Sequence, residues 1–168
     1  MTDSKTLIEA MIAALHGGSL RVIDLTKTLN AQTPIIQLPP DMAPLPPVEI
    51  ETIANFDERG AYTYLNKITF AEHAGTHFDA PNHWISGRDY ADGATDTIPV
   101  DNFISEACVI DLSAEAANDE DFLMEPEHVL AWEKVHGEIP EMCWVLMRTD
   151  WSKRSDAADF LNMREDGA

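Results

Sequence analysis

His73-Ala-Gly75-Thr76-His77-Phe-Asp79-Ala-Pro81-Asn-His83-Trp84 gathers three imidazoles and one carboxylate into eleven residues, and uses half of the six histidines in the chain. Neutral nitrogen and anionic oxygen together form the ligand set that zinc, manganese and iron(II) accept. Gly75, between His73 and His77, disfavours a regular helix. Ala80 precedes Pro81 and is biased toward extended backbone. Two apart in an extended segment, His77 and Asp79 point to the same side. A turn at Gly75 brings His73 to that point, and His83 lies beyond the proline, where the chain has changed direction. The spacing therefore predicts a metal site made by His73, His77 and Asp79. His83 faces it as a spare base.

The pattern His73-x-Gly75-Thr76-His77-x-Asp79-x-Pro81-x-His83 resembles the signature of the metal-dependent cyclase family, which includes bacterial kynurenine formamidases and isatin hydrolases. Val22-Ile-Asp24-Leu-Thr26 is similar to that family's opening strand, and Val145 to Trp151 to a later strand-to-loop segment. Ala80 to Ser86, Ala94-Thr-Asp96-Thr-Ile-Pro99 and Arg148-Thr-Asp-Trp151 resemble the isatin hydrolase branch most. The resemblance implies an α/β chain with the swivelling β/β/α cyclase-like fold, a mixed sheet with flanking helices. It also implies a homodimer and a small-molecule substrate. Family members continue past the point where this chain stops, at Glu165-Asp-Gly-Ala168. Residues 1–168 are thus expected to form a single cyclase-like domain without the family's C-terminal part.

The function implied is metal-dependent hydrolysis of a cyclic amide, isatin to isatinate, with manganese the favoured cation and zinc the alternative. Metal binding acidifies water, and imidazole titrates near neutral pH, which suits His83 for moving its proton. Trp84, next to the motif, is a candidate substrate contact. An arylformamidase acting on N-formylkynurenine is the nearest alternative. Two remoter readings are a non-haem iron oxygenase built on His77, Asp79 and the distant His128, and a metal-binding domain without turnover. His16, His128 and His136 stand at helix ends and read as structural or surface residues. Phe78 and Trp151 read as core aromatics that would otherwise line an aromatic pocket.

Acidic residues outnumber basic ones 30 to 11, for a net charge of −19. Such a surface repels phosphate backbones and anionic membranes, so neither nucleic acid nor membrane is an expected partner. No apolar run reaches the roughly 18 residues of a membrane helix. The start, Met1-Thr-Asp-Ser-Lys, lacks a basic region followed by an apolar stretch, so a cytoplasmic protein is expected. Cys108 and Cys143, in apolar strand-like runs, are expected as buried free thiols rather than a bridge.

Helical spacing of Leu7, Met11, Ala14 and Leu15 predicts a helix over 6–15 that stops at Gly17-Gly18. Strands are expected over 20–26, 48–53, 62–70, 107–112 and 142–147, the last of them buried. The second and third of these form a hairpin through Asp57-Glu-Arg-Gly60. Pro126 at its start and Gly137 just after its end predict a helix over 126–136. Residues 33–47 hold six prolines and cannot be a regular helix or central strand; they read as an extended connecting loop.

Overall fold

A computed structural model describes residues 4–39, 41–58, 60–85, 92–154 and 156–162. The N-terminal Met1–Asp3, Pro40 of the proline loop, Arg59 of the hairpin turn, Ser86 and the terminal Glu165–Ala168 lie outside the described residues.

Helix α1 spans Ser4–His16. Gly17 donates its N–H to the Ala13 carbonyl, and Gly18 takes the left-handed φ of +74° that ends the helix. Its apolar stripe finds no cover, and no residue of α1 is buried. Strands β1 (Glu49–Asp57) and β2 (Gly60–Thr69) form the expected antiparallel hairpin, from Glu49 opposite Thr69 to Asp57 opposite Gly60. Irregularities on either side of Ala54 break its ladder. β2 delivers the chain straight into the histidine cluster.

The second half holds β3 (Ala107–Asp111), α2 (Ser113–Asn118), α3 (Pro126–His136), β4 (Trp144–Arg148) and α4 (Ala157–Leu161). β3 and β4 pair in parallel, Ala107 opposite Trp144 and Asp111 opposite Arg148. The crossover between them carries α2 and α3, the usual way to join parallel strands. Trp132 of α3 donates its indole N–H to the Val109 carbonyl at 3.0 Å, tying helix to strand. Helix α3 fills its predicted span. Pro126 opens it, and the left-handed Gly137 (φ +96°) follows its end.

Two expectations need correction. Residues 20–26 are extended but join no ladder, and Val22, Ile23 and Leu25 stand 82%, 64% and 81% exposed. Alternating apolar residues permit a strand, but only a neighbour makes one, and no described strand runs beside this segment. β4 is a strand, yet every residue of it is exposed rather than buried. Each described sheet has only two strands, so no further strand flanks β4 among the described residues. The buried apolar side chains among the described residues are Val48, Ala74, Ile110, Leu112 and Ala116. They lie where β1, β3, α2 and the histidine loop turn inward.

Ionic contacts hold the C-terminal end of the parallel pair. Arg148 bridges Asp111 (3.0 Å) and Asp150 (2.9 Å), and Lys153 reaches the other oxygen of Asp150 at 2.6 Å. Asp150 itself is left-handed (φ +59°). The Arg148 and then the Lys153 hydrogen bonds hold the Asp150 carboxyl below the usual carboxylate range; Ser113, by hydroxyl and N–H, and then Arg148 do the same for Asp111. A carboxyl depressed in the folded state adds stability that is present above its unfolded pKa of about 3.9 and lost as pH falls through the folded value. The urea midpoint should therefore hold steady between about pH 7 and pH 5 and fall below about pH 4. Asp150→Asn, which tolerates the left-handed backbone, should flatten that fall. An equally steep fall in the variant would contradict the assignment.

Candidate metal centre

The loop after β2 is shaped by backbone before side chains. Ala74 donates its N–H to the Ala71 carbonyl, and Gly75 follows with φ +65°, so the chain reverses between His73 and His77. The Lys27 N–H donates to Thr76 Oγ1 at 2.9 Å, while Lys27 Nζ donates to the Ser152 carbonyl. One lysine thus clamps the loop against the segment that follows β4. Ala80 is extended (ψ 156°), as its place before proline predicts, and Pro81–His83 form a single 3₁₀ turn. That turn swings His83 back until its ring lies 4.2 Å from the ring of His73.

His73 Nδ1, His77 Nε2 and Asp79 Oδ1 form a triangle with edges of 3.2, 2.9 and 3.4 Å. His77 Nδ1 lies 2.9 Å from the Gly75 carbonyl. A carbonyl has no proton to give, so His77 Nδ1 carries one. In the neutral ring Nε2 then presents a lone pair. Asp79 Oδ1 is a second acceptor, 3.4 Å away, and one proton on His73 Nδ1 cannot serve both well. Three electron-rich atoms converging in this way fit a cation. Ligands at about 2.1 Å from a metal stand about 3.0–3.4 Å apart in octahedral or tetrahedral geometry, and the observed edges match. The donor set, two imidazole nitrogens and one carboxylate oxygen, suits zinc or manganese and leaves positions open.

Ligand atoms of His73, Asp79 and His83 also lie within 4.8 Å of one another, so the structure brings all four motif residues to one point. His73, Asp79 and His83, but not His77, line a cavity of about 510 Å³ whose walls also include Glu72, Phe78, Asn82, Ala94 and Thr95. The volume is that of a small-molecule site. Phe78 packs edge-on against Phe103 and turns toward this cavity. The opposite wall is drawn close by Gly93, whose carbonyl accepts the Asn82 N–H at 3.0 Å and where an added Cβ would sit 2.5 Å from Asn82 Oδ1. The sequence marks this wall only through the Ala94 to Pro99 segment, which shares in the family resemblance.

Trp84 stacks edge-on against His83 but is 76% exposed and is not part of the cavity wall. Trp151 is held elsewhere, with Arg154 over its ring and its indole N–H on the Phe160 carbonyl. His128 is occupied in capping α3, where its Nδ1 accepts the Glu125 N–H at 2.9 Å. Among the described residues its ligand atoms do not gather with those of His73, Asp79 and His83, as an oxygenase triad on Asp79 would require. His136 stacks on Trp132, and His16 closes the last turn of α1. No helix among the described residues is long and apolar enough to cross a membrane.

Gly75 gives this loop its sharpest test. Alanine there would hold a left-handed φ at a cost of about 1–2 kcal/mol and set a methyl 3.3 Å from Leu29 Cδ1. Gly75→Ala should weaken manganese or zinc binding by about tenfold in calorimetric titration, with helix content unchanged. Unaltered affinity would mean that the turn does not set the donor geometry.

A family model describing cyclases matches residues 23–167. Isatin hydrolase from Roseibium aggregatum is 48% identical over 167 residues, which is 98% of this chain and 64% of that protein. A crystal structure of an isatin hydrolase bound to the product analogue thioisatinate aligns with a TM-score of 0.91 at 46% identity, over 98% of this chain and 63% of the other. Isatin hydrolase A from Ralstonia solanacearum aligns with a TM-score of 0.90 at 48% identity, over 100% and 64% of the two chains. The chain spans about 64% of the length of the relatives it matches. Over that span the α/β arrangement of small sheets and flanking helices is theirs.

Proposed function

We propose, from the premise that this chain belongs to the cyclase family, that it acts in metal-dependent hydrolysis of a cyclic amide, opening isatin to isatinate. The observation that carries this reading is the triangle of His73, His77 and Asp79 donors, of which His73 and Asp79 line a cavity of about 510 Å³. The 48% identity to an isatin hydrolase supports the choice of substrate. Manganese is the proposed cation and zinc the alternative, since the donor set accepts either. Residues 1–168 are read as a single domain of a cytoplasmic homodimer. The uncovered apolar stripe of α1 supports association.

A divalent cation held by His73, His77 and Asp79 would supply Lewis acidity, lowering the pKa of water and polarising the lactam carbonyl. His83 takes the proton from the attacking water as oxygen adds to the carbonyl carbon. As the carbon–nitrogen bond breaks, His83 returns that proton to the leaving nitrogen. The product is an aniline and a carboxylate, and one proton is released to solvent as the acid ionises. The Gly75 carbonyl accepts from His77 Nδ1, in the tautomer whose Nε2 would be free to hold a cation. Phe78 offers a flat apolar wall to the fused ring, and Trp84 is read as an aromatic contact outside the cavity, reached past His83.

His83→Ala separates base from ligand. The variant should retain its equivalent of manganese and lose turnover by about 10²- to 10⁴-fold, read by metal analysis and by isatin absorbance. Turnover at the parental rate would remove His83 from the reaction. Loss of the metal would make it a ligand instead.

A further inference from the structure

Cys143 enters β4 through a turn. It follows Met142, which is left-handed (φ +63°), and its N–H donates to the Pro140 carbonyl at 3.2 Å. Cys108 belongs to the β3 ladder, opposite Val145. Two residues before Val145, Cys143 shares a face with Cys108 only as a diagonal neighbour, a relation that ordinarily leaves about 7–8 Å between residues. The turn removes that distance. The two Sγ atoms lie 3.3 Å apart, in contact but unbonded. A disulfide needs about 2.05 Å, an approach that side-chain rotation and the turn can supply. Both cysteines are half-buried rather than enclosed, so a small reagent can reach them. Neither takes part in the metal centre.

We propose that Cys108 and Cys143 form a dithiol–disulfide couple, a modification site oxidised by low-molecular-weight disulfides such as oxidised glutathione. In the first step the Cys143 thiolate attacks one sulfur of oxidised glutathione. The glutathione S–S bond breaks, a mixed disulfide forms on Cys143, and one glutathione thiolate leaves. In the second step the Cys108 thiolate attacks Cys143 Sγ, and the second glutathione leaves. Two protein thiols lose two electrons and two protons; one oxidised glutathione becomes two reduced molecules. The order follows from the surroundings. The hydrogen bond with Cys143, then burial, then the nearby charges of Cys143 and Glu106 push the Cys108 thiol up, which favours Cys143 as the first to attack. Modification of Cys143 takes away the first of these effects and releases Cys108 to attack. The bond would fasten the entry of β4 to β3 and close a loop that contains α2 and α3.

The test is incubation of the folded chain with oxidised glutathione at mildly alkaline pH, acid quench, intact mass and peptide mapping. The expected product is monomeric, about 2 Da lighter and without free thiols, with Cys108 and Cys143 in one cross-linked peptide. Cys108→Ser should instead accumulate an adduct of about 305 Da on Cys143, and Cys143→Ser should react at least about tenfold more slowly. Two thiols still free in the parent, a stable glutathione adduct on it, or a bridge between chains would overturn the proposal. The wild-type result stands without the variants, and none of it depends on metal or hydrolysis.

Discussion

Two acceptors held 3.4 Å apart, His77 Nε2 and Asp79 Oδ1, with His73 Nδ1 against both, are the constraint on which the rest of this structure turns. Groups that repel one another do not assemble unaided. The chain forces them together with a glycine turn, a pre-proline extension, a 3₁₀ turn and the Lys27 clamp on Thr76 and Ser152. A cation placed between them would convert the repulsion into coordination, so metal affinity and loop stability should be linked quantities. The same convergence leaves His83 beside the donors, where a proton carrier is useful.

That dependence on local ties matters because the core is thin. The chain exposes 14013 Å², against about 8,300 Å² for a compact monomer of this mass. Its described sheets have two strands each, and apolar faces of α1, residues 22–25 and β4 are open. The site is therefore held mainly by backbone turns and directed hydrogen bonds rather than by a deep packed layer. Relatives that match the chain over 98% of its length are half as long again, and their fold over the shared span is preserved at a TM-score of 0.91.

Much of this was legible in the sequence, for reasons tied to particular residues. Pro126 and Gly137 bound α3 because one fits a helix start and the other a left-handed exit. Gly75 and Pro81 announced the reversals that gather His73, His77, Asp79 and His83. What sequence could not supply were the neighbours. Residues 20–26 carry a strand pattern without a ladder, and β4 carries a core pattern without a covering layer, since pattern records only which side would be buried. Ala94 and Thr95 reach the cavity through the close packing of Gly93 on Asn82, a contact between segments that no spacing rule encodes. The contact between Cys108 and Cys143 likewise depends on a left-handed Met142.

The most direct measurement follows isatin and N-formylkynurenine side by side by absorbance, on protein stripped of metal and again after manganese or zinc is restored. Metal-dependent loss of isatin, with formylkynurenine largely spared, is the predicted result. Hydrolysis that persists without metal, or one bound equivalent of metal with neither substrate consumed, would contradict a metal-driven cyclic amidase at His73, His77 and Asp79.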